Sequence, residues 1–242
     1  MWESDERRVE LPDGQATTVH VAVARRAATR ARLVCLSPAV PLERWCARRG
    51  ITDAVSGGYA TKPHYEPLGE LRIDGRGLPH RAFEPPWRHS RAALARIDGQ
   101  LRIAPRDQLP ASPDGWLLQA GPLLVREGAN AIAGVDDPEG FSTTQHEFDE
   151  DLTAGREPRL ALALRGDDLL AIAADGRAPD DAGLTLVELA DLLVMLGADC
   201  ALNLDGGSAG VVIAGGRRLN VPRDDEGENL AVSAPSVSAL VL

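Results

Sequence analysis

The clearest hydrophobic pattern in this chain lies between residues 185 and 204. Thr185 and Glu188 have the spacing of a capping box, in which each side chain bonds the free backbone N–H of the other residue. A dense apolar run follows and ends at Gly197, a residue that favours a helix stop. The pattern predicts a buried helix of about three turns, followed by a short apolar strand over Cys200–Leu204.

A polar, glycine-rich segment follows this strand directly: Asp205, Gly206, Gly207 and Ser208. Because glycine has no Cβ, its backbone can turn sharply and approach a ligand closely, and its N–H groups can face an anion such as a phosphate. Asp205 would stand beside that concavity, where a carboxylate can exchange a proton or polarise a substrate. The alternative is a plain hairpin turn, because Asp-Gly and Gly-Gly are common turn formers.

Weaker patterns predict further elements along the chain. Alternating polar and apolar residues favour two strands within residues 9–34. A short helix is predicted over Leu42–Arg49, with its stop at Gly50. Further strands and hairpins are predicted at residues 54–55, 70–73, 91–97, 116–125, 160–164, 169–174, 211–213 and 217–221. Residues 128–156 are polar and predict a long surface loop with a helical turn.

Composition narrows the class of protein. The 242 residues suffice for one α/β domain with a buried core. A net charge of −10 disfavours nucleic acid or an anionic membrane as a partner. The charged N-terminus lacks the apolar core of a signal peptide, and no apolar stretch approaches the roughly 20 residues of a membrane span. Three widely spaced cysteines predict reduced thiols, so we expect a cytoplasmic protein that meets metabolites.

Several short motifs occur together in a fixed order over about residues 54 to 242. They are Ser-Gly-Gly-Tyr at 56–59, Ala-Gly-Pro-Leu-Leu-Val-Arg-Glu-Gly at 120–128, Pro-Arg-Leu-Ala at 158–161, Gly-Leu-Thr-Leu at 183–186, Glu-Leu-Ala at 188–190, Leu-Gly-Ala at 196–198 and Asn-Leu-Asp-Gly-Gly-Ser at 203–208. In combination these motifs resemble the phosphodiester glycosidase family, the family of the uncovering enzyme.

The resemblance implies an α/β (α+β) fold in which a mixed, largely antiparallel central sheet is packed by a few helices. It implies one domain over residues 1–242, with a divergent N-terminal part over residues 1–53. The implied activity is that of a hydrolase that cleaves the glycosidic C–O bond of a sugar 1-phosphodiester or a related glycosyl phosphate. The implied partner is a small-molecule sugar phosphate or sugar phosphodiester, and the oligomeric state is left open.

The resemblance also carries catalytic roles to particular positions. Asp205 would act as general acid or base, as nucleophile, or as the electrostatic partner of a developing oxocarbenium ion. Because ordinary glycosidases place two carboxylates around the scissile bond, Asp175 is the first choice for a second one and Glu157 the next. A turn aspartate is the alternative for Asp175. Arg159 would bind phosphate oxygens through its planar fork of donors, the alternative being a surface arginine that opens a strand.

Six further residues are predicted to bind substrate: Ser208, Gly206, Gly207, Gly58, Tyr59 and Asn203. The first three would hold the phosphate, and Tyr59 would stack on a sugar or line the pocket. The alternatives are a turn-closing role for Ser208, a core aromatic role for Tyr59, and a hydrogen bond to a neighbouring loop for Asn203.

The chain also departs from the family pattern. One glycine is missing before Ser208, and Ser56, Glu157 and Leu160 replace the family's Asn, His and Thr. These departures motivate two other functions. One is a diverged biosynthetic enzyme that acts on a phosphorylated sugar or nucleotide intermediate, and the other is a sugar-phosphate-binding module without turnover.

No metal site or other cofactor is assigned from the spacing of the histidines and cysteines. The acidic cluster at residues 146–151 either binds a divalent cation such as calcium or forms a solvated loop face. A divalent cation therefore stays an open alternative.

Overall fold

The computed structural model describes residues 1–85, 87–135 and 155–242. The first ten strands are β1 (Glu3–Glu10), β2 (Ala16–Ala24), β3 (Arg32–Val40), β4 (Ala54–Ser56), β5 (Leu71–Ile73), β6 (Arg76–Gly77), β7 (Ala92–Ile97), β8 (Gln100–Pro105), β9 (Leu117–Gln119) and β10 (Leu123–Arg126). The next seven are β11 (Ala129–Asn130), β12 (Arg159–Arg165), β13 (Asp168–Ala174), β14 (Cys200–Leu204), β15 (Val212–Ala214), β16 (Arg217–Arg218) and β17 (Ser236–Val241). The α-helices in these residues are α1 (Leu42–Arg49), α2 (Trp87–Ser90) and α3 (Leu186–Met195).

The strands form three sheets. A central sheet of seven strands has the order β1-β2-β13-β12-β14-β10-β11, a second sheet the order β16-β15-β4-β17-β3, and a third the order β6-β5-β9-β7-β8. Neighbouring strands of the central sheet are antiparallel. The predicted α+β class with a largely antiparallel central sheet is therefore confirmed.

The middle of the central sheet is apolar on both faces because both faces are covered. On one face Leu160 and Leu202 join a core that is shared with the other two sheets. On the other face Ala161 packs in a second core together with Leu189 and Leu193 of α3. Strands buried on both sides appear in a sequence as short continuous apolar runs, which is the pattern seen in β12, β13 and β14.

Both longer helices begin and end as their local signals predict. Thr185 Oγ1 accepts the N–H of Glu188 at 3.1 Å, and the Glu188 carboxylate accepts the N–H of Thr185 at 2.9 Å, so the capping box of α3 is complete. Helix α1 ends at Gly50, whose φ of 64° lies in the left-handed region that glycine adopts without strain. None of the helices in the described residues is long and apolar enough to cross a membrane.

The N-terminal residues enter two of the three sheets. Strands β1 and β2 form a hairpin, and β2 pairs with β13 next to the middle of the central sheet. Strand β3 pairs with β17 in the second sheet. A single domain over the whole chain stays a prediction, which these pairings support.

One segment differs from the sequence-based expectation, and another lies mostly outside the described residues. Strand β17 is buried over its whole length because it lies between β4 and β3, and no element was predicted for these residues. Most of the loop predicted over residues 128–156 and the acidic cluster at residues 146–151 lie outside the described residues.

Candidate functional site

Arg159 opens β12 and is buried, with 7% of its surface exposed. Its Nε donates to the carbonyl of Leu184 at 3.0 Å, and its Nη2 donates to the carbonyl of Gly155 at 2.9 Å. These two bonds fix the plane of the guanidinium. Arg159 is thus a buried and oriented cation rather than a surface arginine.

Asp205 lies at the end of the neighbouring strand. Leu204 is the last residue of β14 and pairs with Leu160 of β12, so the same register continued by one residue places Asp205 opposite Arg159. Asp205 is partly exposed to solvent. This register and the close packing of Gly206 on Arg159 set the backbones of Asp205 and Arg159 side by side, and the joint catalytic role of the two residues stays a prediction.

The glycines after Asp205 allow the chain to pack against β12. A Cβ at Gly206 would lie 2.4 Å from the carbonyl oxygen of Pro158, which no side chain tolerates without a backbone shift. The N–H of Gly207 donates to the same carbonyl at 3.2 Å, and Gly207 has a φ of 56°. That N–H is therefore used by the protein. The predicted substrate contacts of Gly206 and Gly207 stay predictions.

The hairpin-turn alternative for this segment is wrong. Strand β14 lies between β12 and β10 in the central sheet, whereas β15 lies between β16 and β4 in the second sheet. The turn therefore carries the chain from one sheet to another. Ser208 lies partly exposed in this turn, and its carbonyl accepts the N–H of Ala234 at 2.8 Å.

A second guanidinium, missed from the sequence, approaches the same turn. Arg177 Nη1 lies 3.6 Å from the position that a Cβ on Gly207 would take. Its Nε donates to Glu157 Oε2 at 2.7 Å, and its Nη1 donates to Asp225 Oδ1 at 2.8 Å. Glu157, the second choice for an additional carboxylate, is thus paired with Arg177. Arg177 follows Asp175 and Gly176 directly in the sequence, and this Asp-Gly-Arg run is the signal that could have found it.

Asp175 lies next to this group, but its carboxylate is held by other residues. It follows Ala174, the β13 partner of Arg159. Its Oδ2 lies 2.9 Å from His20 Nε2, its Oδ1 accepts the N–H of Val221 at 2.8 Å, and only 4% of the residue is exposed. These are long-range bonds rather than those of a local turn, and a catalytic role for Asp175 stays a prediction.

Tyr59 and Asn203 form a second group, and Asn203 lies two residues before Asp205 in the chain. Asn203 Nδ2 donates to Tyr59 Oη at 2.8 Å, and a Cβ at Gly121 would lie 2.7 Å from that oxygen. Tyr59 is 6% exposed and meets the Phe83 ring edge-on at 6.4 Å between centroids. Tyr59 is therefore a core aromatic whose hydroxyl is bonded to the strand that carries Asp205.

Arg91 packs beside Tyr59 and is buried, although no local sequence pattern predicts its burial. The Arg91 guanidinium lies 5.5 Å from the centroid of the Tyr59 ring and 4.2 Å from that of Phe83, within cation–π range. Gly58 donates its N–H to Ser238 Oγ at 3.2 Å. A Cβ on Gly58 would lie 3.2 Å from the carbonyl oxygen of Gln119, so this turn packs closely against β9.

The described residues contain no group of three or more histidine, cysteine or acidic side chains placed to hold a metal ion. The acidic cluster at residues 146–151 lies outside them, so the divalent-cation alternative stays open.

Comparisons with known proteins agree on one family and one fold. The sequence model of the phosphodiester glycosidase family matches residues 49–238. The catalytic domain of zebrafish N-acetylglucosamine-1-phosphodiester alpha-N-acetylglucosaminidase shares the fold with a TM-score of 0.76 at 16% identity, over 100% of this chain and 82% of that chain.

Two further solved structures have the same fold. A hypothetical protein from Synechocystis matches with a TM-score of 0.69 at 18% identity, over 99% of this chain and 61% of that chain. A Burkholderia pseudomallei protein described as exported matches with a TM-score of 0.68 at 16% identity, over 97% of this chain and 75% of that chain. No curated protein matches the sequence.

Proposed function

The chain belongs to the phosphodiester glycosidase family, and we propose that it is a hydrolase that cleaves the glycosidic C–O bond of a sugar 1-phosphodiester or a related glycosyl phosphate. The observation that carries this proposal is the strand register that sets Asp205 opposite the buried guanidinium of Arg159. In the reaction, water adds to the anomeric carbon, the bond from that carbon to the phosphate oxygen breaks, and the phosphate leaves with the electron pair while one proton of the water passes to solvent.

Arg159 supplies the positive charge for the phosphate in this proposal. Its bonds to the carbonyls of Leu184 and Gly155 hold the guanidinium in place before substrate arrives. Preorganised charge of this kind stabilises the departing phosphate without reorganisation during the reaction. Arg177 adds a guanidinium beside Gly207 that can donate hydrogen bonds, although Glu157 and Asp225 balance its charge. Ser208 offers a hydroxyl to the same phosphate.

Asp205 acts at the anomeric carbon. As a partly exposed carboxylate at a strand end, it can orient the attacking water or stabilise the positive charge that develops on the sugar ring. Asp175 assists indirectly. Its bonds to His20 and Val221 hold the segment between Asp175 and Arg177 in place. The bond between Asn203 and Tyr59 holds the end of β14 in place from the core side.

The test is turnover by wild type and by Asp205→Asn, measured as release of free sugar from UDP-N-acetylglucosamine and simple glycosyl phosphodiesters. Wild type should release sugar, and the variant should lose at least about 100-fold in kcat, which corresponds to about 2.7 kcal/mol of transition-state stabilisation. Asp98→Asn makes the same charge change on the exposed turn between β7 and β8 and should match wild type. Equal activity in wild type and Asp205→Asn would remove Asp205 from the mechanism.

A non-hydrolytic relative is the second candidate, and the departures from the family motif favour it. Ser56, which replaces the family's Asn, accepts the N–H of Val211 with its Oγ at 2.8 Å. Leu160 lies in the core and Glu157 pairs with Arg177. At these three positions, where the chain departs from the family motif, the side chains make contacts within the protein. Saturable binding of sugar phosphates without turnover of any phosphodiester would support this candidate over the hydrolase.

We also propose a cytoplasmic location with a small-molecule phosphate ester as substrate. Cys35, Cys46 and Cys200 are free thiols, and burial, with a contribution from Glu43, raises the pKa of the Cys46 thiol to about 11. Free, unreactive thiols fit a reducing compartment. Fractionation of the source cells with an antibody against the chain tests the location, and recovery outside the cytoplasm would contradict it.

A further inference from the structure

A polar cleft lies on the third sheet, outside the residues assigned to the proposed reaction. Its volume is about 460 Å³, within the range of small-molecule sites. Three arginines, two histidines and two carboxylates line it together with Gln119. The carbonyl of Gln119 also lies close to Gly58, so Gln119 connects the cleft to the turn that holds Tyr59.

Glu70 organises the floor of this cleft. Its carboxylate accepts hydrogen bonds from Arg72 Nε and Arg106 Nε. Burial alone would raise the pKa of Glu70, but the bonds from Arg106 and Arg72 outweigh it and hold the pKa below the usual range. Arg106 is further bonded to the carbonyls of Leu109, Pro110 and Ala111. Glu70 is therefore ionised and neutralised, and both guanidinium groups are oriented in advance.

Positive charge remains after this pairing. Within the described residues, Arg88 has no acidic partner for its guanidinium, and no acceptor meets Nη2 of Arg72. Asp107 also lines the cleft and is exposed. Three arginines thus face two carboxylates on a protein whose net charge is −10. This local reversal of sign attracts an anion.

The donors match a phosphate better than a carboxylate. His80 Nδ1 lies 2.8 Å from the carbonyl of Leu78, which leaves Nε2 for a second partner. His89 lines the same cleft. Arg72, Arg88 and the two histidines offer donors from four side chains. A carboxylate presents two oxygens, whereas a phosphate monoester presents three strong acceptor oxygens.

We propose that this cleft is a second anion site that binds the phosphate group of a small molecule, with Arg72 and Arg88 as its principal ligands. The site is separate from the Arg159–Asp205 pair and does not depend on the proposed hydrolysis. Gln119 closes its inner end: Oε1 accepts the N–H of Glu70 at 3.1 Å, and Nε2 donates to the carbonyl of Arg88 at 2.8 Å. The main chain that carries Arg88 is therefore tied to the floor of the cleft.

The test is calorimetric titration of the full chain with inorganic phosphate, glucose 1-phosphate and acetate. Arg88→Gln should weaken phosphate binding about tenfold, the effect of one charge-assisted hydrogen bond. Arg76→Gln removes an equal charge from an exposed arginine on β6, outside the cleft, and should bind as wild type does. Arg72→Lys keeps the charge but loses the planar fork, so it should also weaken binding.

The cleft's share of the binding is the part that Arg88→Gln weakens. If that part is tighter for glucose 1-phosphate the ligand is an organic phosphate, and if it is tighter for inorganic phosphate the ligand is the free ion. Four results would overturn the proposal: no saturable binding to wild type, an equal loss in Arg88→Gln and Arg76→Gln, no loss in Arg88→Gln, or acetate binding as tightly as phosphate. Phosphodiester hydrolysis by Arg88→Gln should stay at the wild-type rate. Phosphate titration therefore tests the cleft, whereas phosphodiester hydrolysis tests the proposed function, so either proposal can fail without the other.

Discussion

Two glycines bring the predicted site residues together because their neighbours leave no room for a side chain. A Cβ at Gly206 would lie 2.4 Å from Pro158 O, and one at Gly121 would lie 2.7 Å from Tyr59 Oη. The first contact joins the turn after β14 to the segment that carries Arg159. The second joins the segment between β9 and β10 to Tyr59, whose hydroxyl is bonded to Asn203 of β14.

Gly206→Ala should destabilise the protein by about 2 kcal/mol, because the added methyl group forces a backbone carbonyl to move in a packed site. The measurement is the free energy of unfolding from urea titration. Gly77→Ala is the matched control, since no atom lies within 4 Å of its Cβ position, and it should be close to neutral. A Gly206→Ala protein as stable as Gly77→Ala would show that the turn has space that the structure does not contain.

Helix α3 illustrates what a single element contributes. Its capping box closes the first turn, and its apolar side packs on the central sheet beside the segment that bonds Arg159. The Glu188 carboxylate also binds Arg156 at 2.6 Å. The start of the helix therefore anchors the chain that enters β12.

Thr185→Ala should lower the free energy of unfolding by about 1 kcal/mol, the usual effect of removing a helix N-cap. Thr185→Ser keeps the capping oxygen and should retain most of the stability. Both values come from the same urea titrations as those of the glycine variants. If the serine variant loses as much as the alanine variant, the effect arises from packing of the threonine methyl group rather than from the cap.

The same box predicts a dependence on pH. Burial would raise the pKa of Glu188, but bonds from Arg156 and Thr185 together lower it below its reference value of 4.5. Because the folded-state pKa is depressed, the contribution of Glu188 is complete above about 4.5 and is lost as the pH falls through the lower folded value. The stability of wild type relative to Glu188→Gln should therefore shrink below pH 4.5.

On the scale of the whole molecule, the N-terminal residues complete two sheets even though the family model begins only at residue 49. Strand β2 covers the edge of β13, and β3 extends the second sheet beside β17. The zebrafish catalytic domain aligns over all of this chain. We therefore expect residues 1–53 to be part of the domain.

Deletion of residues 1–31 should abolish cooperative folding, because it removes β1 and β2 and exposes the buried edge of β13. Circular dichroism during thermal unfolding is the measurement, with the full chain alongside. A truncated chain that keeps the wild-type β-sheet signal and melts at the same temperature would show that the N-terminal strands form a separable unit.

Hydrophobic patterning and turn chemistry were enough to predict both longer helices, the β12–β13 hairpin and the strand that precedes Asp205. These elements depend on interactions within a few residues, and such interactions leave a local pattern. The ordered motifs were enough to identify the family because each motif is a short run of residues that can be read directly from the sequence. Strand β17 was not predicted, although its apolar residues fit a buried strand, because its burial depends on its position between β4 and β3.

The sequence by itself therefore determined the local elements and the family, and it singled out Asp205 and Arg159 as candidate site residues. Only the tertiary structure decided that Asp175 bonds His20, that Gly207 donates to Pro158, and that Arg177 approaches the turn. The residues in each of these contacts are far apart in the chain, and strand order and register bring them together. A periodic pattern fixes which face of a strand is buried but not which strand lies beside it.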